Sequence, residues 1–397
     1  MKEGWEEKKL GDVCKKNSNI KWQKNDETEY QYIDLSSVSR DSLTILETSV
    51  VSSKNAPSRA KKIVEEDDVI FATTRPTLRR VTIIEKDLDN QICSTGFAVM
   101  RANSEKILPQ FIFYFLQTEY FIERMETLQR GASYPAVSDT DVNNSLIPIP
   151  PLSEQKEIVE TLDEAFAAIE TAQTNIEKNI ENANELFQSR LNDIFSRKRD
   201  GWEEKKLGEV CIVERGSSPR PINKYITDNE DGVNWIKIGD VNENDKYVRK
   251  TDQKITKEGA KKSRFVNVGD FILSNSMSFG RPYIMKIPGY IHDGWFVLRL
   301  PSELNPDYFW QLLASPYLKK QFEELAAGAI VKNISSVLVK KAIIPLPPFN
   351  VQDEIVKETE NLHSILNNLQ KNYQQKLSNL EELKQSLLQK AFAGELT

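Results

Sequence analysis

Two segments that lie 197 residues apart in this 397-residue chain are almost identical, and this repeat limits the architectures that the chain can adopt. Residues 4–14 read GWEEKKLGDVC and residues 201–211 read GWEEKKLGEVC, so ten of eleven positions agree. The same offset relates IPIPP at residues 147–151 to IPLPP at residues 344–348, and Gln155 to Gln352. Matches at one fixed offset are typical of an internal duplication. We therefore expect two copies of one fold.

Between these anchors the offset changes, which indicates that the two copies differ in their loops. Residues 32–38 correspond to residues 235–241 at an offset of 203, and residues 95–101 correspond to residues 293–299 at an offset of 198. Such changes mean insertions and deletions, which protein surfaces tolerate in loops. Two similar frameworks with different loops suit a protein that recognises two different targets with two copies of one kind of domain.

Each copy combines short strands with helices. In the first copy, β-like runs cover residues 32–38, 69–73, 81–84 and 97–100, and a helix is predicted over residues 109–128. The proline-rich stretches at residues 148–151 and 345–348 are predicted to end each globular part, because proline cannot continue a ladder or a helix interior. The predicted fold class is α+β, with two similar mixed α/β domains.

A long helix is predicted after each globular part. No glycine or proline interrupts residues 152–200, and Ser153 is the predicted N-cap. Apolar residues recur every seven positions, in rows that include Leu162, Ile169 and Ile176 in the first copy and Ile355, Leu362 and Leu369 in the second. This period predicts a coiled coil rather than an ordinary amphipathic helix, which seldom exceeds about 25 residues. The chain connection makes the pair antiparallel, as a rigid spacer between two heads.

The predicted domains are therefore residues 1–151 (first globular domain), 152–200 (first helix), 201–348 (second globular domain) and 349–397 (second helix). The longest apolar run, residues 111–116, is far short of the roughly 20 residues of a membrane span. Cys14, Cys93 and Cys211 form no even disulfide framework and lack metal-ligand spacing. Together with a start that has no secretory signal, these features predict a cytoplasmic protein that does not bind membranes.

The net charge of −6 is unevenly distributed along the chain. Residues 151–200 carry 6 Lys and Arg against 11 Asp and Glu, whereas residues 201–347 carry 22 against 18 and are mildly basic. Binding to a polyanion depends on the distribution of charge rather than on its sum. The acidic total therefore does not exclude DNA.

Three features together resemble the specificity subunit of type I restriction–modification systems. They are the two globular domains that begin GWxxxxLG, the IPxPPLxxQxxI entry to each long helix (residues 147–158, and in looser form 344–355), and the ending KAFAGEL. The resemblance covers the whole chain. It implies a DNA-binding subunit without catalytic activity, in which each globular domain is a target recognition domain that reads one half of a bipartite site.

The resemblance also implies partners. The helix pair would set the gap between the half-sites and dock two methyltransferase subunits, which bind S-adenosylmethionine and methylate adenine; this chain itself would need no cofactor. In the full complex, restriction subunits join. The residues agree with a chain that has no catalytic centre: there is no phosphate-binding GxxxxGK[ST] loop, and two histidines, His292 and His363, are too few for a metal cluster.

Polar loop residues are the candidates for DNA contact, because hydroxyl, amide and guanidinium groups read base edges and cations contact phosphates. Arg75 and Arg281 are the strongest candidates, since each lies in a hydroxyl-rich turn after a strand and precedes a proline. The complete predicted set is Lys61, Lys62, Thr73, Thr74, Arg75, Thr77, Arg79, Arg80 and Tyr134 in the first domain, and Lys261, Lys262, Ser274, Asn275, Ser276, Ser278, Arg281, Lys332 and Asn333 in the second. Ordinary solvated turns are the alternative for each of them.

A second hypothesis remains open at this point. The chain could be an adaptor that holds two protein- or ligand-binding domains apart on a rigid coiled coil. The basic, hydroxyl-rich loops favour DNA, and salt-dependent binding to a duplex would separate the two hypotheses.

Overall fold

The structure is a computed structural model that describes residues 2–23, 27–197, 200–242, 245–275, 280–326 and 334–396. Two compact units are present: unit 1 comprises Met1–Ile176 and Gln374–Thr397, and unit 2 comprises Glu177–Tyr373. The four-part division with boundaries after residues 151, 200 and 348 stays a prediction, because packing assigns part of each long helix to each unit. Within the described ranges, no helix is both long and apolar enough for a bilayer crossing.

Unit 1 is built on two four-stranded sheets and one two-stranded ribbon. Its strands are β1 (Glu6–Lys9), β2 (Cys14–Lys15), β3 (Tyr30–Ile33), β4 (Ser49–Val51), β5 (Ala60–Val64), β6 (Val69–Ala72), β7 (Val81–Ile83), β8 (Gln91–Ser94), β9 (Phe97–Ala102) and β10 (Leu146–Ile149). The sheet orders are β2-β9-β6-β7 and β4-β3-β8-β5, and β1 pairs with β10. Neighbouring strands are antiparallel except β3 and β8, which are parallel.

The helices of unit 1 cover one face of the first sheet. They are α1 (Pro109–Phe115), α2 (Glu119–Leu128), α3 (Asp139–Asn143) and the first part of α4 (Leu152–Ser196). Strand β6 is buried on both faces: Val69 and Phe71 pack towards the helices, whereas Ile70 and Ala72 pack towards the second sheet. The alternation of side chains along a strand therefore produces three layers, helices on sheet on sheet.

The predicted single helix over residues 109–128 is wrong, because two helices occupy this stretch. Thr118 ends the first and begins the second: its hydroxyl donates to the carbonyl of Phe115 (2.7 Å) and accepts the N–H of Phe121 (3.2 Å). Threonine competes for backbone groups in this way at N-caps. A continuous apolar pattern across the break hid it from the sequence.

Unit 2 repeats this framework with additions. Its strands are β11 (Glu203–Lys206), β12 (Ile212–Arg215), β13 (Ile226–Thr227), β14 (Val233–Ile236), β15 (Tyr247–Val248), β16 (Gln253–Ile255), β17 (Arg264–Val266), β18 (Phe271–Ser274), β19 (Pro282–Met285), β20 (Gly289–Ile291), β21 (Trp295–Arg299) and β22 (Ile343–Leu346). The sheet orders are β12-β21-β18-β19-β15 and β13-β16-β14-β20-β17, with the ribbon β11-β22. The helices are α5 (Leu207–Val210), α6 (Lys257–Ala260), α7 (Pro306–Ala314), α8 (Pro316–Ala326), α9 (Ser336–Val339) and part of α10 (Phe349–Ala393).

The offset of the repeat rises where unit 2 has extra residues before β14, and it falls again where the connection from β7 to β8 (residues 84–90) is longer than that from β19 to β20 (residues 286–288). Strands β13 and β15 have no counterpart in unit 1, and each extends one sheet of unit 2 by an edge strand. Short 3-10 turns complete the two units, at Leu10–Asp12, Leu35–Ser37, Pro76–Leu78, Lys86–Leu88, Ile222–Lys224 and Ile238–Asp240. The predicted duplication with divergent insertions is thus confirmed element by element.

The two best-matched segments of the repeat pair with each other. In unit 1, Glu6 lies opposite Ile149 and Glu7 opposite Pro148; in unit 2, Glu204 lies opposite Pro345 in the same way. Pro148 and Pro345 therefore lie inside strands, so the expectation that proline cannot continue a ladder is wrong at these two positions, while the boundary of the globular part after residues 151 and 348 stays a prediction. A strand in a two-stranded ribbon has one unpaired edge, where a missing N–H costs no ladder hydrogen bond.

The glutamine that follows each ribbon joins the long helix to the globular part. Gln155 is fully buried; its Oε1 accepts the N–H of Leu108 (2.9 Å), and its Nε2 donates to the carbonyls of Lys106 and Pro150 (both 2.9 Å). Gln352 repeats the pattern, with Asn305 N–H and Pro347 O as partners. The glutamine of the IPxPPLxxQ motif thus has the same role in both units: its side chain bonds to the backbone before the long helix and to the backbone before α1 in unit 1 or α7 in unit 2.

Replacing Gln155 by leucine should destabilise unit 1 by about 2 kcal/mol, because it keeps the volume but leaves one buried N–H and two carbonyls unsatisfied. The measurement is hydrogen–deuterium exchange of unit 1 peptides in the full chain, with unit 2 peptides as the internal reference. Gln188→Leu, on the exposed surface of α4, is the matched control. Equal protection in the two variants would refute the structural role of Gln155.

Both long helices are observed, with slightly different ends from those predicted. Helix α4 begins at Leu152, because the N–H of Gln155 bonds to the carbonyl of Pro151 (2.9 Å), so Ser153 lies in the first turn and is not the N-cap. Helix α10 ends at Ala393, followed by Gly394 with a φ of +77°. Each helix has 45 residues, about 67 Å at 1.5 Å per residue.

Within unit 2 the two helices run antiparallel. Contacts along α4 meet progressively earlier residues of α10: Asn184 with Gln370 (2.9 Å), Phe187 with His363 (ring centroids 4.5 Å apart) and Arg190 with Glu358 (2.6 Å). In unit 1, the end of α10 packs on α1, where Phe392 contacts Phe111 with ring centroids 4.8 Å apart. The KAFAGEL ending therefore supplies core residues, just as Phe195 at the end of α4 packs on Tyr308 in unit 2.

Candidate nucleic-acid interface

Three loops of unit 1 and the segment at the start of β5 lie side by side, joined by backbone hydrogen bonds. They are residues 59–61, 73–80, 95–96 and 130–136, which we call the first reading face. The joining bonds run from Thr95 N–H to Arg59 O (2.8 Å), Thr73 N–H to Gly96 O (2.8 Å), Arg75 N–H to Pro135 O (2.7 Å) and Val137 N–H to Thr73 O (2.9 Å). The sequence predicted DNA-contact residues in three of these segments separately, and the structure brings the segments together.

Arg75 and Tyr134 are the most prominent side chains of the first reading face. Both are exposed, Tyr134 to 72%, and the Arg75 guanidinium carbon lies 5.1 Å from the centre of the Tyr134 ring. Arg75 has a φ of +51°, which is unusual for a side chain other than glycine. Its backbone is held there by Pro135 and by the 3-10 turn that begins at Pro76. Strain of this kind concentrates at functional sites.

An exposed guanidinium beside an aromatic ring has chemistry suited to nucleic acid. The guanidinium can donate two parallel hydrogen bonds to guanine or to a phosphate, and the ring can stack on a base or a sugar. Thr77 and Lys61 are exposed on the same face, and Thr74 is half-buried in a bridge to Ala136.

Two residues predicted to contact DNA are buried, and those predictions are wrong. Thr73 is 5% exposed and its hydroxyl donates to the carbonyl of Gly96 (2.8 Å). Lys62 is 7% exposed and its ammonium donates to the carbonyl of Phe97 and to Asp139. Lys61 lies at a bulge of β5 between Ala60 and Lys62 and is exposed, so these two neighbouring lysines have different surroundings.

Arg79 and Arg80 are engaged inside unit 1. Arg79 donates to both carboxylate oxygens of Glu119 (2.6 and 2.7 Å), and Arg80 donates to the carbonyl of Leu35. They brace the 73–80 loop against α2 and against the second sheet. Their contact with DNA stays a prediction, and the Arg79 side chain is 33% exposed beside Glu119.

Unit 2 has a corresponding face built on the same framework. Asn275 N–H bonds to Gly294 O (2.9 Å), as Thr73 bonds to Gly96 in unit 1. The second reading face consists of residues 215–220, 261–264, 274–275, 280–281 and 292–294. The segment 215–220 is tied to it by Ser217 Oγ, which donates to the carbonyl of Lys262 (3.0 Å), and by Gly216 N–H, which bonds to Trp295 O (2.8 Å).

Asp293 organises the centre of the second reading face. Its carboxylate accepts hydrogen bonds from the Ser218 hydroxyl (2.6 Å) and from the guanidinium of Arg220 (3.2 Å). The Ser218 hydrogen bond is the largest cause that holds the pKa of Asp293 below its usual value. The exposed cations around it are Arg215, Arg220, Lys261, Lys262 and Arg264. Arg215 and Arg220 were missed by the sequence prediction, although the Gly-Ser-Ser-Pro-Arg run is a turn signal.

Ser274 and Asn275 are wrong as direct contacts. Both are almost fully buried: the Ser274 hydroxyl accepts the N–H of Arg281 (3.0 Å), and the Asn275 amide donates to the carbonyl of Asp293 (2.6 Å). They hold the loop that carries the half-buried Arg281. The remaining predicted residues of this unit, Ser276, Ser278, Lys332 and Asn333, lie outside the described residues.

His292 and the cysteines have structural surroundings. The N–H groups of Ile238 and Gly294 point at the two ring nitrogens of His292 (3.1 and 2.6 Å); a neutral imidazole accepts at one of them. Burial lowers the pKa of His292, so the ring is neutral at pH 7. Burial also raises the pKa of each cysteine thiol to about 12, which keeps all three protonated. The described residues contain no cluster of three or more His, Cys, Asp or Glu that could hold a metal ion.

Comparisons with known proteins place this geometry in context. A family model described as the type I restriction modification DNA specificity domain matches residues 2–182 and again residues 199–379. The StySPI type I restriction enzyme specificity subunit of Salmonella potsdam is 24% identical over 371 residues, covering 87% of this chain and 78% of that protein.

Two solved structures are similar over the full length of the chain. A chain from a type I R-M system, described for its complex assembly and conformational transition, superposes with a TM-score of 0.81 at 29% identity and covers 100% of this chain and 99% of its own. The HsdS subunit from Thermoanaerobacter tengcongensis superposes with a TM-score of 0.66 at 29% identity, with coverage of 100% and 98%.

Proposed function

Because the chain belongs to the family of type I restriction modification DNA specificity domains, which each of its halves matches in turn, we propose that it is the specificity subunit of a type I restriction–modification complex. It recognises DNA sequence and has no catalytic role; methyl transfer and cleavage belong to partner subunits. The single observation that carries the proposal is that both units present corresponding loop faces on one framework, with different side chains on each.

Each unit reads one half of a bipartite, asymmetric site. The first reading face offers Arg75, Thr77 and Tyr134, and the second offers a denser set of cations around Asp293. Since base readout depends on donors and acceptors at the loop tips, two faces that differ in side chains select two different half-sites. The long helices set the gap between the half-sites.

The same helices are the docking surface for two DNA adenine methyltransferase subunits, which supply S-adenosylmethionine, and restriction subunits join the complete complex. Exposed apolar side chains on α4 and α10, such as Leu186, Ile365 and Leu383, support this assignment, because they would be covered by a partner. The site of action is the cytoplasm, where the DNA is.

Methylation mapping in a host that carries this protein with its methyltransferase tests the function. The expected result is one asymmetric motif of two short halves with a constant gap; exchanging the globular part of one unit for that of a relative should change only one half. Methylation that is unaffected by deletion of the chain would reject DNA recognition and leave the adaptor hypothesis.

A further inference from the structure

Unit 2 carries a group of cations around one tyrosine, outside the second reading face. The nitrogens of Lys246 and Lys286 and the guanidinium carbon of Arg249 lie 5.7, 4.5 and 4.9 Å from the centre of the Tyr247 ring. We call these four residues the Tyr247 cluster. An aromatic ring attracts a cation, but three cations beside one ring repel one another. The cluster therefore needs negative charge nearby to offset this repulsion.

Only part of this charge is balanced within the described residues. Lys246 forms an ion pair with Asp307 (2.7 Å) and lies 5.0 Å from the centre of the Trp310 ring. Arg249 and Lys286 are exposed and form no ion pair with the described residues; Glu243 lies outside them. Two exposed cations on a fixed aromatic platform are therefore available to an anion.

Three residues of the cluster, Lys246, Tyr247 and Arg249, lie in or beside a strand that unit 1 lacks, whereas Lys286 follows a strand that both units share. Tyr247 is in β15, the added edge strand, and pairs in parallel with Ile284 of β19. In unit 1 the corresponding edge strand is β7. The strand registers place Ile83 at the position of Ile284, so Glu85 occupies the position of Lys286. An acidic residue stands in one unit where a basic residue stands in the other.

We propose that the Tyr247 cluster binds backbone phosphates of the DNA that flanks the half-site read by unit 2. The proposal rests on the proposed function. Arg281 precedes β19 and Lys286 follows it; five residues of strand span roughly 17 Å, which is about five base pairs along a duplex. Lysine ammonium groups are point charges that do not distinguish bases, and a guanidinium such as that of Arg249 can donate two parallel hydrogen bonds to a phosphate, so we assign the cluster to affinity and register rather than to sequence selectivity.

The test is the salt dependence of DNA binding by the assembled complex with its methyltransferase subunits. Arg249→Gln/Lys286→Gln is compared with Lys319→Gln/Lys320→Gln, which removes the same charge from exposed positions on α8. The probes are a duplex that contains the mapped methylation motif and one of equal length without it. The cluster variant should reduce the slope of log K against log salt by roughly 1.8, about 0.9 for each phosphate that the protein no longer neutralises. The methylated motif should stay the same.

When the duplex is shortened next to the unit 2 half-site, the wild type and the cluster variant should have the same slope of log K against log salt. Equal salt slopes for the cluster variant and the α8 control variant would overturn the phosphate site. The proposed function would still be supported in that case, provided that the wild-type complex binds the motif specifically. Unchanged DNA binding with weaker assembly of the complex would overturn the phosphate site as well, and would assign the cluster to an acidic protein surface. A wild-type complex without motif-specific binding would instead reject the proposed function.

Discussion

Replacing Arg75 by alanine is expected to weaken binding of the cognate duplex by about 1–3 kcal/mol, roughly 5- to 150-fold in Kd, and to relax selectivity in one half-site only. The reason is local. Arg75 is exposed beside Tyr134, its backbone is fixed in the left-handed region, and the neighbouring Arg79 and Arg80 are engaged within the domain. It is therefore the guanidinium of this loop that can reach a base edge or a phosphate. Methylation mapping and equilibrium binding of the complex measure the effect.

Two further variants show what Arg75 contacts. Arg75→Lys keeps the charge but loses the planar pair of donors. If Arg75→Ala weakens binding to all duplexes equally and lysine restores the affinity, Arg75 contacts a phosphate; if alanine relaxes selectivity and lysine restores the affinity alone, Arg75 reads a base. Arg40→Ala, which removes an exposed arginine outside the first reading face, is the control. Equal binding by the Arg75→Ala and Arg40→Ala variants would exclude Arg75 from the interface.

Replacing Asp68 by alanine is expected to destabilise unit 1 by about 3 kcal/mol, the lower end of the cost of breaking a buried ion pair, because Arg101 keeps Glu65 as a second partner. Asp68 is 1% exposed and accepts two hydrogen bonds from Arg101, from Nε (2.9 Å) and Nη2 (2.8 Å). It also accepts the backbone N–H of Glu65 (2.8 Å). The pair joins β9 to the start of β6, the strand that carries the core. Hydrogen exchange in peptides from β6 and β9 of the full chain measures the loss.

A double variant separates the charge effect from the packing effect. Asp68→Ala/Arg101→Met removes both charges and retains apolar volume, so it should be more stable than Asp68→Ala alone. The corresponding pair in unit 2, Asp270 and Arg299, is longer at 3.4 Å, and the Asp270 side chain is 14% exposed, against 1% for Asp68. Asp270→Ala should therefore have the smaller effect. A loss below about 1 kcal/mol in Asp68→Ala would show that the pair contributes little to unit 1.

The framework followed from the sequence because its signals are local and occur twice. Ten identities in eleven residues predicted two copies of one fold, and the residues that match at this offset form the same two-stranded ribbon in each unit. The heptad rows predicted the two long helices, in which Leu162, Ile169 and Ile194 are buried. The break at Thr118 and the prolines inside the ribbon strands were predicted wrongly, because a cap or an unpaired edge depends on neighbours that periodicity does not identify.

The sequence by itself determined the duplication, the fold class, the long helices and the loops that carry the polar residues. Only the tertiary structure decided which of those residues face solvent. Thr73 and Lys62 are of the same residue types as the exposed Thr77 and Lys61, yet they are buried, as is Asn275. Their partners, Gly96, Asp139 and Asp293, are 18 to 77 residues away. A polar side chain is free to contact DNA only when no such distant group satisfies it first, because burial without a partner is costly.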